Sequence, residues 1–281
     1  MHILKSIEEV RDCVRALKDR RGSVAFVPTM GNLHQGHLAL VEHALEQAAA
    51  VLVSIYVNPL QFGENEDFAG YPRTLEADRE ALEALGVAAV FVPDEATMYP
   101  RGAERQTRVV VPGLGEILCG QSRPGHFQGV TTVVARLLNI VGPDIAVFGR
   151  KDYQQLAIIR RMVSDLAMPV KIEGVPTVRD ADGLALSSRN QYLDAGERSI
   201  APGLYRALQD CVRRIQAGTP IEEARSLGLK ELAEAGFRPD YLEVRHQNDL
   251  APPTDNDRDL VALAAAHLGR ARLIDNLEFR R

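Results

Sequence analysis

Two histidines three residues apart, His34 and His37, stand in the segment VPTMGNLHQGHLALVEHA, just beyond an apolar run and at the start of a helical pattern. Pro28-Thr29-Met30-Gly31 leads out of the run, and Gly31 and Gly36 permit tight turns and a close backbone approach to a ligand. A helix start also offers N–H groups and the positive end of a dipole to phosphate oxygens. Residues three apart share a helix face, so both rings can meet one phosphate group. Two other readings compete. A histidine at a helix start commonly serves as a cap or a solvated surface group. A zinc site of the H-x-x-E-H kind around Glu42-His43 needs a histidine at position 39, where Ala39 stands.

Three further clusters follow short β-rich runs. Asn58 and Gln61 lie in YVNPLQFG, where neutral amides can hold hydroxyls and a carboxylate without an ion pair; an ordinary turn explains them equally. In FGRKDYQQL, Gly149 ends a run, Lys151 brings a compact cation suited to phosphate, Asp152 can cap the next helix and Gln155 lies on its first turn. The competing reading is an exposed Lys–Asp pair of the common surface kind. In LALSSRN, Ser187, Ser188 and Arg189 provide several donors for a polyphosphate, Arg bidentately. A solvated Ser-rich loop before a helix at Asp194 is the alternative. Arg123-Pro124-Gly125-His126 could lend another cation, or be a plain loop.

The elements that must position these residues alternate. Residues 1–22 read as an amphipathic helix. Beyond it, strands are expected at Ser23–Pro28, Val51–Asn58, Val87–Val92, Ile145–Phe148 and Val170–Val175. Helices are expected at Gly36–Ala50, Arg73–Leu85, Phe127–Val141 and Tyr153–Leu166. Apolar strands without clean alternation, separated by helices, predict an α/β fold: a doubly wound parallel sheet covered on both faces. Ligands of such sheets sit beyond the carboxyl ends of the strands, where the winding reverses. After about residue 176 the pattern changes. Helices at 195–217 and 221–235 precede β-like runs at 240–245, 259–266 and 271–277, with a surface loop at 251–259. This predicts two domains, 1–176 and a smaller α+β C-terminal domain, 177–281, with an antiparallel sheet.

Composition narrows the chemistry. The 281 residues include 46% hydrophobic and 25% charged residues, and the net charge is −5, ordinary values for a chain with a packed core. With no basic stripe to displace phosphate counterions, no Trp and 5% aromatics, nucleic-acid partners are not expected. No stretch approaches the roughly 20 apolar residues that span a bilayer, so no membrane partner is expected. Residues 1–22 carry Glu8, Glu9 and Asp12 where a signal peptide would be apolar. Cys13, Cys119 and Cys211 are far apart and odd in number, which argues against a disulfide framework and for a reducing cytoplasm.

The H-x-G-H element followed by a later Ser-Ser-Arg loop resembles the nucleotide-binding signatures of the class I aminoacyl-tRNA synthetase and nucleotidylyltransferase superfamily. More narrowly, VPTMGNLHQGH, VNPLQF, RPGHFQGV, FGRKDYQQL and GLALSSRN, in this order, are similar to the pantoate–β-alanine ligase family. The resemblance implies a Rossmann-like N-terminal domain, a smaller C-terminal domain that closes as a lid, and a homodimer. The implied reaction joins (R)-pantoate to β-alanine with Mg2+-ATP, through a pantoyl adenylate, and releases pyrophosphate and AMP. By position it carries ATP contacts onto Met30, Gly31, Asn32, Leu33, His34, Gln35, Gly36 and His37, onto Gly149, Arg150, Lys151 and Asp152, and onto Val178, Leu186, Ser187, Ser188 and Arg189. It assigns Gln61 to pantoate and β-alanine, Gln155 to pantoate, and catalytic roles to His34, His37 and Lys151; it assigns no protein ligand to the metal. The chain departs from the family pattern at Leu186, where Met is usual, at Arg150, where Glu is common, and at Gln128, where a charged residue is frequent. Among rivals, a nucleotidylyltransferase should place cations where Gln61 and Gln155 stand. A catalytically silent nucleotide-binding protein would have no use for His34, His37, Lys151 and Arg189 together. A tRNA synthetase lacks its basic surface here.

Overall fold

In chain order the first elements are β1 (His2–Leu4), α1 (Ile7–Arg21), β2 (Val24–Thr29), α2 (Gln35–Gln47), β3 (Ala50–Ile55), α3 (Leu75–Ala84), β4 (Ala89–Phe91), α4 (Glu95–Met98), α5 (Cys119–Ser122), α6 (His126–Val141), β5 (Ile145–Gly149), α7 (Tyr153–Asp165) and β6 (Lys171–Val175). They come from a computed structural model that describes residues 1–63, 68–254 and 256–281. Contacts divide the chain into two units: Met1–Arg150 with Ile158–Pro176, and Lys151–Ala157 with Thr177–Arg281.

The first unit holds six parallel strands in the order β1-β4-β3-β2-β5-β6. Every residue of β3 is buried and β2 is nearly so, as expected of strands covered on both faces. Ala25, Val27, Val51 and Val53 join Leu40, Val41 and Ala44 of α2 in one apolar cluster, while α1 and α6 contact β2 and each other. This is the doubly wound arrangement that the alternating pattern predicts. One expectation fails. Residues 2–4 are not helical but form an edge strand beside β4. Ser6 caps α1, its Oγ accepting from the Glu9 N–H while the Glu9 carboxylate accepts from Ser6 N–H. That capping box starts the helix at Ile7.

In the second unit, α8 (Ala195–Ile200), α9 (Gly203–Gln216) and α10 (Ile221–Glu234) precede β7 (Arg238–His246), β8 (Asp259–Leu268) and β9 (Ala271–Arg280). The three strands form an antiparallel sheet in the order β7-β8-β9. Leu204, Leu208 and Ile215 of α9 pack with Leu242, Leu260 and Leu273 of the sheet. The single helix expected at 195–217 is two, because Pro202 lacks the N–H that a continuous helix needs. In the loop expected at 251–259, Asp255 lies outside the described residues.

Candidate active site

The sheet reverses its winding between β2 and β5. These strands pair only at Ala25↔Ile145 and Phe26↔Ala146, so Thr29 and Gly149 end the two strands without pairing to each other. Ligand crevices of doubly wound sheets form at such a point. The Thr29 hydroxyl donates to Ser54 O at 2.7 Å and accepts the Gly31 N–H at 3.2 Å, tying the exit of β2 to β3. Gly31 (φ 78°) and Asn32 (φ 51°) then turn left-handed in succession. The loop is closed by Asp78 of α3, whose carboxylate accepts the N–H groups of Asn32 at 2.9 Å and Leu33 at 2.8 Å. A Cβ on Gly31 would lie 2.9 Å from that carboxylate, so position 31 requires glycine for space as well as φ.

The two histidines cap the helix that follows. His34 is the N-cap of α2, its Nδ1 accepting the Gly36 N–H at 3.1 Å, and His37 Nδ1 accepts the His34 N–H at 3.4 Å. The rings lie 4.1 Å apart, centroid to centroid. The N–H donors of the first turn are therefore not all offered to a ligand, as the sequence suggested, because His34 takes one. In compensation, a neutral imidazole that accepts at Nδ1 carries its proton on Nε2. Both rings thus become Nε2–H donors. Gln35 is exposed, while Met30, Asn32, Leu33, Gly36 and both histidines are half-buried.

Gln61 stands beside this loop, its Nε2 3.0 Å from Met30 Sδ. Asn58, 1% exposed, donates from Nδ2 to Gln61 Oε1 at 3.1 Å and to Gly129 O at 3.2 Å. Its Oδ1 accepts the Leu60 N–H at 3.3 Å and the Tyr99 hydroxyl at 2.7 Å. All four hydrogen-bonding positions of this amide are taken, so Asn58 orients Gln61 rather than holding a ligand. Burial pushes the Tyr99 phenol well above its ordinary pKa, which keeps it a donor. The Gln61 carbonyl is held as well, by His126 Nδ1 at 2.8 Å and Arg123 at 3.4 Å. His126 must be protonated at Nδ1 to donate to a carbonyl, and its Nε2 meets Arg123 Nη1 at 3.0 Å. The Arg-Pro-Gly-His segment is therefore more than a loop.

In the second unit, residues 178–186 double back: Leu186 N–H donates to Val178 O at 3.0 Å, and a bridge joins Arg179 to Ala185. This brings Val178 and Leu186 together and directs Ser187 into a short 3-10 turn, Ser188–Tyr192, that carries Arg189. Ser187 Oγ caps the turn by accepting the Arg189 N–H. Lys151, Ser187, Asn190 and Asp275 line one small pocket. The Lys151 carbonyl accepts from Asn276 Nδ2 at 2.9 Å. Next to Asn276, Asp275 grips Arg179 bidentately at 2.5 and 2.8 Å, and Arg179 stacks 3.6 Å over the Tyr205 ring. Lys151 Nζ is 4.0 Å from the Asp152 carboxylate, and Gln155 is half-buried on the first turn of α7. In the first unit, Gly149 closes β5 and Arg150 Nε donates to Gly174 O at 3.0 Å. Sequence reasoning missed Asp78, Tyr99, Arg179, Asp275 and Asn276, which act from 41 to 125 positions away in the chain. Only Asp78, a carboxylate on the buried side of a helical pattern, left a signal that could have been questioned.

Residues 2–278 match the family described as pantoate-beta-alanine ligase. Pantothenate synthetase of Shewanella oneidensis is 54% identical over 275 residues, 98% of each chain. A crystal structure of pantothenate synthetase from Thermus thermophilus superposes with a TM-score of 0.93 at 48% identity, covering both chains fully. The pantoate-beta-alanine ligase of Francisella tularensis, complexed with beta-gamma ATP and beta-alanine, reaches 0.82 at 34% identity over 99% of this chain and 97% of its own. A likeness that runs through the whole chain, at these identities, settles the matter: the chain belongs to the pantoate–β-alanine ligase family.

Proposed function

We propose a division of labour among this chain's residues for the reaction of its family, the ATP-dependent condensation of (R)-pantoate with β-alanine to pantothenate. A carboxylate oxygen of pantoate attacks the α-phosphorus of ATP, the bond to the bridging oxygen breaks, and pyrophosphate leaves. The β-alanine nitrogen then attacks the acyl carbon, AMP leaves with its oxygen, and the amine gives up a proton. His34 and His37 hold the phosphates through Nε2–H, and Lys151, Ser187, Ser188 and Arg189 add charge and donors. Val178 and Leu186 contact the adenine, where Leu in place of Met keeps the contact apolar. Gln61 and Gln155 cradle the pantoate acid.

The observation that carries this reading is the Gln61 amide, fixed with its oxygen on Asn58 and its NH2 beside the histidine loop. A neutral donor orients a carboxylate and leaves it nucleophilic, which a tight ion pair would not. Mg2+ is proposed to arrive on the ATP phosphates, the usual mode for this ion. Asp152, whose carboxylate lies 4.0 Å from Lys151 Nζ, would offer that ion one oxygen ligand. Arg150, where the family commonly has Glu, is held to the edge strand at Gly174. We place the enzyme in the cytoplasm as a homodimer; no helix among the described residues is long and apolar enough to cross a membrane, and light scattering should give twice the mass of one chain.

Exchange of labelled pyrophosphate into ATP, with pantoate present and β-alanine absent, tests the assignment. Gln155→Ala should raise the pantoate KM in this assay by about one to two decades, the loss expected for a hydrogen bond to a charged group. The ATP KM should hold. Equal effects on both substrates would overturn the assignment of the acid.

A further inference from the structure

We propose that Tyr99 is a positioning residue for the ligase reaction, acting through Asn58 to fix which end of the Gln61 amide faces the pantoate carboxylate; this rests on the assignment of that acid to Gln61.

A primary amide has two unlike ends of nearly equal size. Its NH2 attracts a carboxylate and its oxygen repels one. A free glutamine would present either end, and half of its orientations would work against the substrate. Here the choice is made from the interior. The Tyr99 hydroxyl is 2% exposed with its residue and donates to Asn58 Oδ1 at 2.7 Å, the shortest of the four bonds to that amide. With Oδ1 committed as acceptor, Nδ2 must point at Gln61 Oε1 and Gly129 O. A flipped Asn58 would set its oxygen against those two oxygens and its NH2 against the Leu60 N–H. The orientation passes on: Gln61 Oε1 is engaged, so Nε2 is the end beside Met30 Sδ. Arg123 and His126 meet the Gln61 main-chain carbonyl, whereas the side-chain oxygen is taken by Asn58. Buried polar chains in which every member is satisfied act as units, and loosening one member weakens the rest.

The test is a double-variant cycle. Tyr99→Phe keeps the ring and removes only the hydroxyl. It should raise the pantoate KM about tenfold, a change the size of one hydrogen bond, and leave the ATP KM near the wild-type value. Gln61→Ala should raise the pantoate KM by itself, and Tyr99→Phe should then add nothing further in the double variant. If the two effects multiply instead, Tyr99 does not act through Gln61 and the relay is overturned. If Gln61→Ala leaves the pantoate KM unchanged, the assignment of the acid to Gln61 fails, and the relay loses its purpose with it. A readout without substrate completes the set: the Gln61 side-chain NH2 signal in a 15N spectrum, identified by its loss in Gln61→Ala, should move in Tyr99→Phe. A signal that stays in place overturns the relay.

Discussion

Asp78 and Leu33 lie 45 positions apart, and the Asp78 carboxylate accepts the Leu33 N–H at 2.8 Å. The other oxygen takes Asn32, and Thr74 Oγ1 donates to the carboxylate at 3.1 Å. Successive N–H groups around left-handed residues make a concavity that binds anions. In this protein an internal carboxylate, 3% exposed, fills it. The concavity therefore shapes the loop, and in the proposed assignment the contacts to phosphate belong to the side chains of His34 and His37.

Asp78→Ala should accordingly act on stability and on nucleotide together. Removing a buried charged acceptor with three donors costs roughly 2–4 kcal/mol, measurable by denaturant unfolding. The ATP KM should rise more than the pantoate KM, because the loop leads into the histidine cap. A variant with wild-type stability and wild-type ATP KM would show that the loop holds its turn unaided.

Gly129→Ala tests the other wall of the site. Ala in place of Gly inside a helix ordinarily gains about 1 kcal/mol. At position 129 a Cβ would meet Leu60 O at 2.0 Å and Gln61 N at 2.7 Å. Neither backbone atom can yield without moving the turn that carries Gln61. We expect a lower melting temperature and a pantoate KM raised about tenfold or more, since even small misplacement of a positioning group is costly. A melting temperature that rises, as in an open helix, would refute the close approach.

Much of this architecture was legible in the residues because it is local. The strand and helix runs of the parallel sheet follow apolar period, and the motif residues fall after strand ends, as a doubly wound sheet demands. What escaped was long-range or two-valued. Nothing in the neighbourhood of Asn58 announces Tyr99, nor does Lys151 announce Asn276; such partners meet only when the chain folds. The first three strand residues, His2–Leu4, fall inside the helix that the sequence predicts, because too few residues precede Ser6 to show a period of their own. The histidines posed a different difficulty. Cap and phosphate donor looked like alternatives at His34, yet an imidazole has two nitrogens. Nδ1 takes the cap, and the proton this leaves on Nε2 equips the ring for the other task.

Acid sensitivity should trace in part to Glu173. Its carboxylate meets Lys171 Nζ and His43 Nε2, each at 2.6 Å, joining α2 to the edge strand β6. Hydrogen bonds from Lys171, and then from His43, hold its pKa below the ordinary carboxylate value. A depressed acid contributes stability above its unfolded pKa and loses it as pH falls through the folded value. Stability should therefore decline below about pH 4.5, the ordinary range for Glu, and the decline should be shallower in Glu173→Gln. Salt should weaken the Lys171 share, because that side chain is 69% exposed. Parallel unfolding curves for the two proteins across this range would remove Glu173 from the account.

The capping seen at the histidines and the phosphate role proposed for them can be separated by substitution. Asn is among the best N-cap residues, so His34→Asn can keep the bond to the Gly36 N–H while removing the ring. Its melting temperature should stay near wild type and its turnover should fall. His37→Ala removes both the acceptor for the His34 N–H, long at 3.4 Å, and the Nε2 donor. The lost cap bond is weak, so the stability change should be small. Turnover should drop on the order of 10²–10³, the usual consequence of deleting one donor to charge that develops in the transition state. Pyrophosphate exchange with pantoate alone locates the loss in adenylate formation, before any amine takes part. If turnover instead tracked the melting temperature in both variants, the rings would be caps and nothing more. If His34→Asn were fully active while His37→Ala were not, the phosphate role would belong to His37 alone, and the Nε2 proton on His34 would serve only the geometry of the helix start.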